Sequence, residues 1–334
     1  RGFGTCVVLA IAYGVSIGGM ASIIGTPPNG VLVGFLRERY GQEISFLEWM
    51  KVGLPMTVLF LPLGWLLLAR VVFRVKSGRI DAIQDEIRRE LADLGPIRRP
   101  EASILAIFLL CVVAWLTRPY LAEALGLTRP RPGRAPEILL TDAGIAMAGA
   151  LLCFLVPVSW RRREFVLDWK TASSIPWGVL LLFGGGLTLA AAIERHGLDV
   201  ALGPVLSGLG GVPIIVMVLV VAAVVVFVGE AGSNTAVTTT FLPIMAALAV
   251  SVGVHPYLLL FPVAFAASCG FMLPVATPPN ALAFASGRVT IAQMARAGLA
   301  LNLVGIVLIT LVCTYLLPTL LGFDPRAALP ATGK

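Results

Sequence analysis

Nine stretches of nearly unbroken hydrocarbon constrain this chain more than any motif: 5–24, 52–73, 103–117, 138–158, 175–193, 212–228, 236–252, 257–275 and 299–317. Apolar runs of about 20 residues are what a helix needs to cross a bilayer. No period-2 alternation runs through them, so a membrane barrel and a soluble sheet core both fail. Only 13% of the 334 residues are charged and 58% are hydrophobic, against about 25% charged in a soluble domain. The expectation is an all-α polytopic membrane protein, integral to the plasma (inner) membrane, whose first partner is the lipid bilayer.

The net charge of +7 does not point to nucleic acid, because the basic residues sit in short loops between spans. Arg70 to Arg99 supply one such loop, Arg161, Arg162, Arg163 and Lys170 another, and Arg288 and Arg296 a third. An excess of Lys and Arg in cytoplasmic loops explains that placement. The loop at 118–137, with four arginines, fits the count least well. Cys6, Cys111, Cys153, Cys269 and Cys313 all lie inside apolar runs without paired spacing and read as small packing residues. Residues 77–101 form one polar helical stretch, with Ile80, Ile83, Ile87, Leu91 and Leu94 at helical spacing opposite a mixed-charge face. That pattern predicts an amphipathic helix on the cytoplasmic membrane surface. The first residue is Arg, and the chain reads as the later part of a longer protein.

The tetrapeptide TPPN occurs twice, at Thr26–Asn29 and Thr277–Asn280, each time inside an apolar run. Downstream, "ISFLEWMKVGLP" (44–55) parallels "VTIAQMARAGLA" (289–300), with Ser45/Thr290, Lys51/Arg296 and Gly53/Gly298 in step. The charge-derived topology runs the two copies in opposite directions, and an inverted repeat is the usual build of a secondary transporter. Two consecutive prolines remove two backbone donors and push the preceding residue out of helical geometry. Each copy therefore predicts a helix broken in mid-membrane, tolerated only where it lines a cavity or is buried in protein. The freed carbonyls of Gly25 and Ala276 can face a cation, and the helices restarting at Pro27 and Pro278 turn positive ends toward an anion. A third polar island, "GEAGSNTAV" (229–237), separates two arms at 212–228 and 236–252. Ser233 is suited to N-cap the second arm. Each arm is long enough for a short full span, so length leaves open whether they form a re-entrant hairpin.

These motifs, with "AYGVSIGGMASIIGTPPN", "ELADLGPIRRPE", "IPWGVLLLFGGGLTLAAAIERHGL" and "CGFMLPVATPPNALAFASG", resemble the divalent-anion/sodium symporter family, carriers of dicarboxylates, citrate and sulfate. The resemblance covers nearly the whole chain. It implies three parts: residues 1–73 end a first repeat, 74–100 form a cytoplasmic linker helix, and 101–334 form a second, inverted repeat. It implies a re-entrant hairpin with GSNT at its tip, and a first hairpin preceding this sequence. Substrate would lie between Ser233, Asn234, Thr235, Thr277 and Pro278, with Thr26 and Pro27 reaching from the other break. Sodium would be held at Gly25 and Asn29 in one half, and at Gly229, Ser233, Asn234, Ala276 and Asn280 in the other. Gly229 stands where many members carry Thr, which removes a hydroxyl ligand. The implied activity is sodium-coupled import of succinate, malate or fumarate by an elevator-type movement of a homodimer. Sodium is then the coupling ion, with no covalent cofactor.

The residues agree with a carrier of anions. No Arg or Lys occurs within the apolar runs between residue 170 and Arg288, so a bound sodium would have to supply the positive charge. Glu230, the one acid deep in the second half, reads either as a proton-coupling group or as an acid satisfied by backbone N–H groups and hydroxyls. A sodium-independent exchanger and a sulfate or phosphate carrier stay open, and a cation/proton antiporter stands further off because a mid-membrane Asp is lacking. No paired-Asp, Ser–His, HExxH or CxxC arrangement supports an enzyme.

Overall fold

A computed structural model describes residues 2–75, 92, 95–131, 134–159, 161, 164–175, 211–327 and scattered positions between 177 and 196. The expected surface helix at 77–101 lies mostly outside the described residues, and so does most of the run at 175–193. The chain packs as two compact units, one built from residues 1–75 and 177–334 and the other from 76–176.

The first unit contains α1 (Gly2–Gly19), α2 (Pro27–Tyr40) and α3 (Phe46–Leu66), the last continued by a π-helical turn, Leu67–Val72. The second unit contains α4 (Arg99–Leu116), α5 (Arg118–Ala124), a ribbon of β1 (Thr128–Arg131) and β2 (Arg134–Ile138), and α6 (Asp142–Leu155). A second ribbon, β3 (Pro157–Ser159) with β4 (Glu164–Phe165), precedes α7 (Trp169–Ala172). The first unit resumes with α8 (Ile214–Glu230), α9 (Asn234–Val252), α10 (Tyr257–Ala267) and α11 (Pro278–Ala285). It ends with α12 (Ile291–Leu311), a second π-helical turn (Val312–Leu316) and α13 (Leu317–Leu321).

The helical expectation needs amending in the second unit, which carries two short antiparallel ribbons. The loop at 118–137 folds as a short helix and an antiparallel ribbon pairing Thr128 with Ile138 and Arg129 with Glu137. Pro130 and Pro136 cannot continue a helix, and an edge ribbon tolerates them. α4 and α6 meet along one narrow stripe, Ile107, Cys111 and Trp115 against Ile145, Gly149 and Cys153. Leu105, Phe108, Leu109 and Val113 are left exposed.

In the first unit the repeat reaches well past its legible sequence. α3 and α12 are both 21 residues long, both open on a capping box (Ser45 with Glu48, Thr290 with Gln293), and both pass into a π-helical turn. Packing is reciprocal as well. α1 lies against α11 as α10 lies against α2, α1 pairs with α3 as α10 pairs with α12, and α3 packs on α12. Small residues permit the close approach, since hydrocarbon offers no water to be driven out between helices. Gly305 receives the Phe60 ring, and Gly64 faces Leu301. Every residue of α10 is buried, as a helix apolar on all sides must be when it forms the centre of a unit. Trp49 stacks on Phe261 with centroids 5.4 Å apart, and Tyr13 meets Phe271 edge-on at 5.1 Å. The five cysteines are free and buried.

Candidate functional site

Both TPPN copies break their helices where the prolines dictate. Thr26 (φ −150°, ψ 144°) and Thr277 (φ −141°, ψ 149°) are extended, and helix restarts at the following proline. α1 ends at Gly19 and α10 at Ala267, so a non-helical loop precedes each TPPN. The run expected at 257–275 is shorter for this reason.

The two loops are tied by the same residue in the same way. The Asn29 side-chain amide donates to the carbonyls of Gly19 (3.0 Å) and Ser22 (2.8 Å). The Asn280 amide donates to those of Gly270 (2.9 Å) and Leu273 (3.0 Å). In each case the acceptors lie ten and seven residues earlier. Both asparagines are fully buried. Each loop also lies over a glycine of the long helix that follows. A Cβ at Gly53 would strike the carbonyl of Met20, and one at Gly298 the carbonyl of Phe271. The Trp49 indole donates to Met20 O at 3.0 Å. Gly19 and Gly25 press together so closely that a Cβ on Gly25 would meet the Gly19 carbonyl.

The amides spend their donors on the loops and keep their oxygens. Oδ1 of Asn29, Asn280 and Asn234 is buried without a hydrogen-bond partner. An unpaired buried acceptor costs about 1–3 kcal/mol. Asn302 Oδ1 is likewise buried and unpaired; the other three stand on motifs singled out by the sequence and are oxygens of the kind a hard cation prefers. Asn234 reaches the second break: its Oδ1 is 3.6 Å from where a Cβ of Gly270 would stand, a point also 3.5 Å from Thr277 Cγ2 and 3.0 Å from Ala276 Cβ. Asn234, Ala276 and Thr277 are thus brought together around Gly270. Thr26 and Pro27 stand in the same unit, at the head of α2, which packs on α9 and α10.

Donors for an anion are distributed differently from the sequence expectation. Prolines at the first two positions of α2 and α11 carry no N–H. The next donor is already engaged: Asn29 N–H bonds Thr26 O at 3.1 Å, and Asn280 N–H bonds Thr277 Oγ1 at 3.3 Å. α9 is the better donor. Ser233 occupies its N-cap position but its side chain makes no capping bond, and the first backbone bond runs from Val237 N–H to Ser233 O. The N–H groups of Asn234, Thr235 and Ala236 lead the helix without intrahelical partners. Ser233, Pro27, Gly25 and Pro278 are exposed, whereas Thr235, Ala276 and Thr277 are buried. Gly229 is buried, with the Ala267 carbonyl 4.0 Å from its Cβ position.

Glu230 is held by backbone N–H groups, as one of its two readings required, but with an amide in place of hydroxyls. Phe271, Met272 and Leu273 N–H and the Asn302 side chain all donate to it. Sequence reasoning missed Asn302, whose signal was a lone amide inside an apolar run. It also missed the seating role of Gly53 and Gly298, although their matched positions were visible.

A family description, "Sodium:sulfate symporter transmembrane region", matches residues 1–322. The "sodium-dependent dicarboxylate transporter SdcS" of Staphylococcus saprophyticus is 41% identical over 329 residues, 98% of this chain and 62% of that protein. A protein of the same name from Staphylococcus aureus matches at the same identity and coverage. The chain spans 62% of the length of these relatives.

Proposed function

This chain belongs to the sodium:sulfate symporter family, an integral multi-pass membrane protein, and from that premise we propose that it acts in sodium-coupled import of small dicarboxylates such as succinate, malate or fumarate. One observation carries the reading: Asn29, Asn234 and Asn280 each keep a buried, unpartnered oxygen, and α9, which begins at Asn234, opens on N–H groups without intrahelical partners. Sodium is bound among those oxygens and the carbonyls of Gly25 and Ala276, with Gly229 and Ser233 alongside. The substrate carboxylate takes the donors of Ser233, Asn234 and Thr235, flanked by Thr277 and Pro278 and, from the other break, by Thr26 and Pro27. Neutral dipoles hold both, so the empty site carries no fixed positive charge. Sodium binds first and makes the anion's binding favourable. Each net positive charge then carried inward gains about 2.3 kcal/mol per 100 mV.

The relatives' dicarboxylate name favours dicarboxylate over the sulfate of the family description. The two copies are an inverted repeat crossing the membrane in opposite senses, and GSNT is the tip of a re-entrant hairpin. The reciprocal helix contacts support a two-fold relation between them. The unit holding both breaks is the moving cargo domain of an elevator. The other, with the exposed face of α4, belongs to a scaffold that pairs with a second copy in the plasma membrane.

The test is uptake of labelled succinate into proteoliposomes of the full-length protein under an inward sodium gradient. Uptake should be sodium-dependent and reduced by unlabelled malate or fumarate. Uptake unchanged when choline replaces sodium would overturn coupling, and counterflow without sodium would assign an exchanger. The missing hydroxyl at Gly229 favours that second reading.

A further inference from the structure

Glu230 is the one buried carboxylate among the described residues, and its surroundings fix its part. Oε1 accepts from Phe271 N–H (2.8 Å), Met272 N–H (2.9 Å) and Asn302 Nδ2 (2.6 Å). Oε2 accepts from Met272 N–H (3.0 Å) and Leu273 N–H (3.1 Å). Three successive backbone donors converging on one anion make a nest, here filled by the protein itself. Oε1 has no capacity left for a metal ion.

The consequence lies on the other side of the loop. In a trans peptide, N–H and C=O point opposite ways. Drawing the N–H groups of residues 271–273 to Glu230 therefore turns the carbonyls of Gly270, Phe271 and Met272 away from it. Gly270 O is then where the Asn280 amide finds it, and Phe271 O is seated on Gly298. Among the described residues no such anion serves the first break. Met20 N–H bonds Ile17 O and Ala21 N–H bonds Gly18 O, both at 3.1 Å, so that loop keeps its own turns. The second loop instead gives three successive N–H groups to a side chain outside it.

We propose that Glu230, clamped by Asn302, is the positioning residue of the second break: its carboxyl group gathers the N–H groups of residues 271–273, holds that loop out of helix and keeps the oxygens of Asn280 and Asn234 aimed at the cation. It is not itself a sodium ligand. The inference rests on the sodium-coupled reading above and deepens it.

The test measures half-saturating sodium for the full-length protein in two ways: sodium-dependent protection against thermal unfolding, and succinate uptake into proteoliposomes. Glu230→Gln keeps the shape but turns an N–H donor toward a loop N–H. It should raise half-saturating sodium at least about tenfold, the scale of a lost charge-assisted hydrogen bond, with maximal uptake per folded protein nearly unchanged. Asn302→Leu should move it the same way by roughly three- to tenfold, and the double variant should match Glu230→Gln alone, as coupled groups do. Unchanged half-saturating sodium in Asn302→Leu overturns the proposal, even if Glu230→Gln fails to fold. A Glu230→Gln protein that loses only the pH dependence of uptake overturns it in favour of a proton carrier. Wild-type uptake and melting indifferent to sodium would instead sink the sodium-coupled reading.

Discussion

At the scale of single residues, the site depends on where a Cβ is absent and where an amide is present. Gly298 has no Cβ, and one would collide with the Phe271 carbonyl and the Met272 Cα; both are backbone atoms that cannot swing aside. Gly298→Ala should cost about 1–3 kcal/mol, the range for overpacking. Gly30, with nothing within 4 Å of its Cβ position, sits inside α2. Gly30→Ala there should be neutral or stabilise by roughly 0.5–1 kcal/mol. Thermal unfolding of the two purified variants separates these outcomes, and equal melting temperatures would discredit the seating role. The matched amides of Asn29 and Asn280 follow the same logic, since each closes a loop and leaves an oxygen free.

At the scale of elements, helices that begin at Ser or Thr use it differently. Ser45 and Thr290 cap α3 and α12 with reciprocal boxes; Ser233 stands at the head of α9 without capping it. Ser45→Ala and Thr290→Ala should therefore each lower stability by about 1 kcal/mol. Ser233→Ala should change stability by less than about 0.5 kcal/mol, yet raise the half-saturating concentration of succinate. Melting and uptake on the same three variants check this, and a Ser233→Ala protein with a large melting loss and unaltered succinate affinity would reassign Ser233 to capping. The two π-helical turns, in register between α3 and α12, were beyond sequence reading because they depend on how each long helix packs in its last turns.

At the scale of the molecule, a far-reaching contact closes the end of the first unit. His255 N–H bonds Pro325 O at 2.9 Å, its ring stacks on Phe323 with centroids 4.1 Å apart, and its Nδ1 accepts from Tyr257 N–H at 3.3 Å. Burial holds the imidazole down at about 4, against the nearby Asp324 carboxylate, which favours the charged form. The folded state thus refuses a proton that the unfolded chain takes up below about 6.5. Stability from this contact is complete above pH 6.5, falls as pH drops toward 4, and is level below. His255→Asn keeps an acceptor but cannot titrate, so its melting temperature should fall less than that of the wild type between pH 6.5 and 4. Parallel curves would remove His255 from the account.

The sequence by itself determined the solvent and the punctuation of this protein. Long apolar runs without period-2 alternation point to helices in a bilayer, and Pro-Pro pairs break a helix wherever they stand, because two donors are gone before any tertiary contact forms. The motif residues of both breaks and of the GSNT island were likewise legible as residue types able to bind ions. Only the tertiary structure decided which backbone donors were already spent, that α9 rather than α2 or α11 has donors to offer, and that Glu230 is occupied by residues 271–273 and Asn302. The Glu230 bonds join positions 41 to 72 residues apart. Hydrogen-bond partners at that separation are set by packing in three dimensions, which local spacing along a chain does not encode.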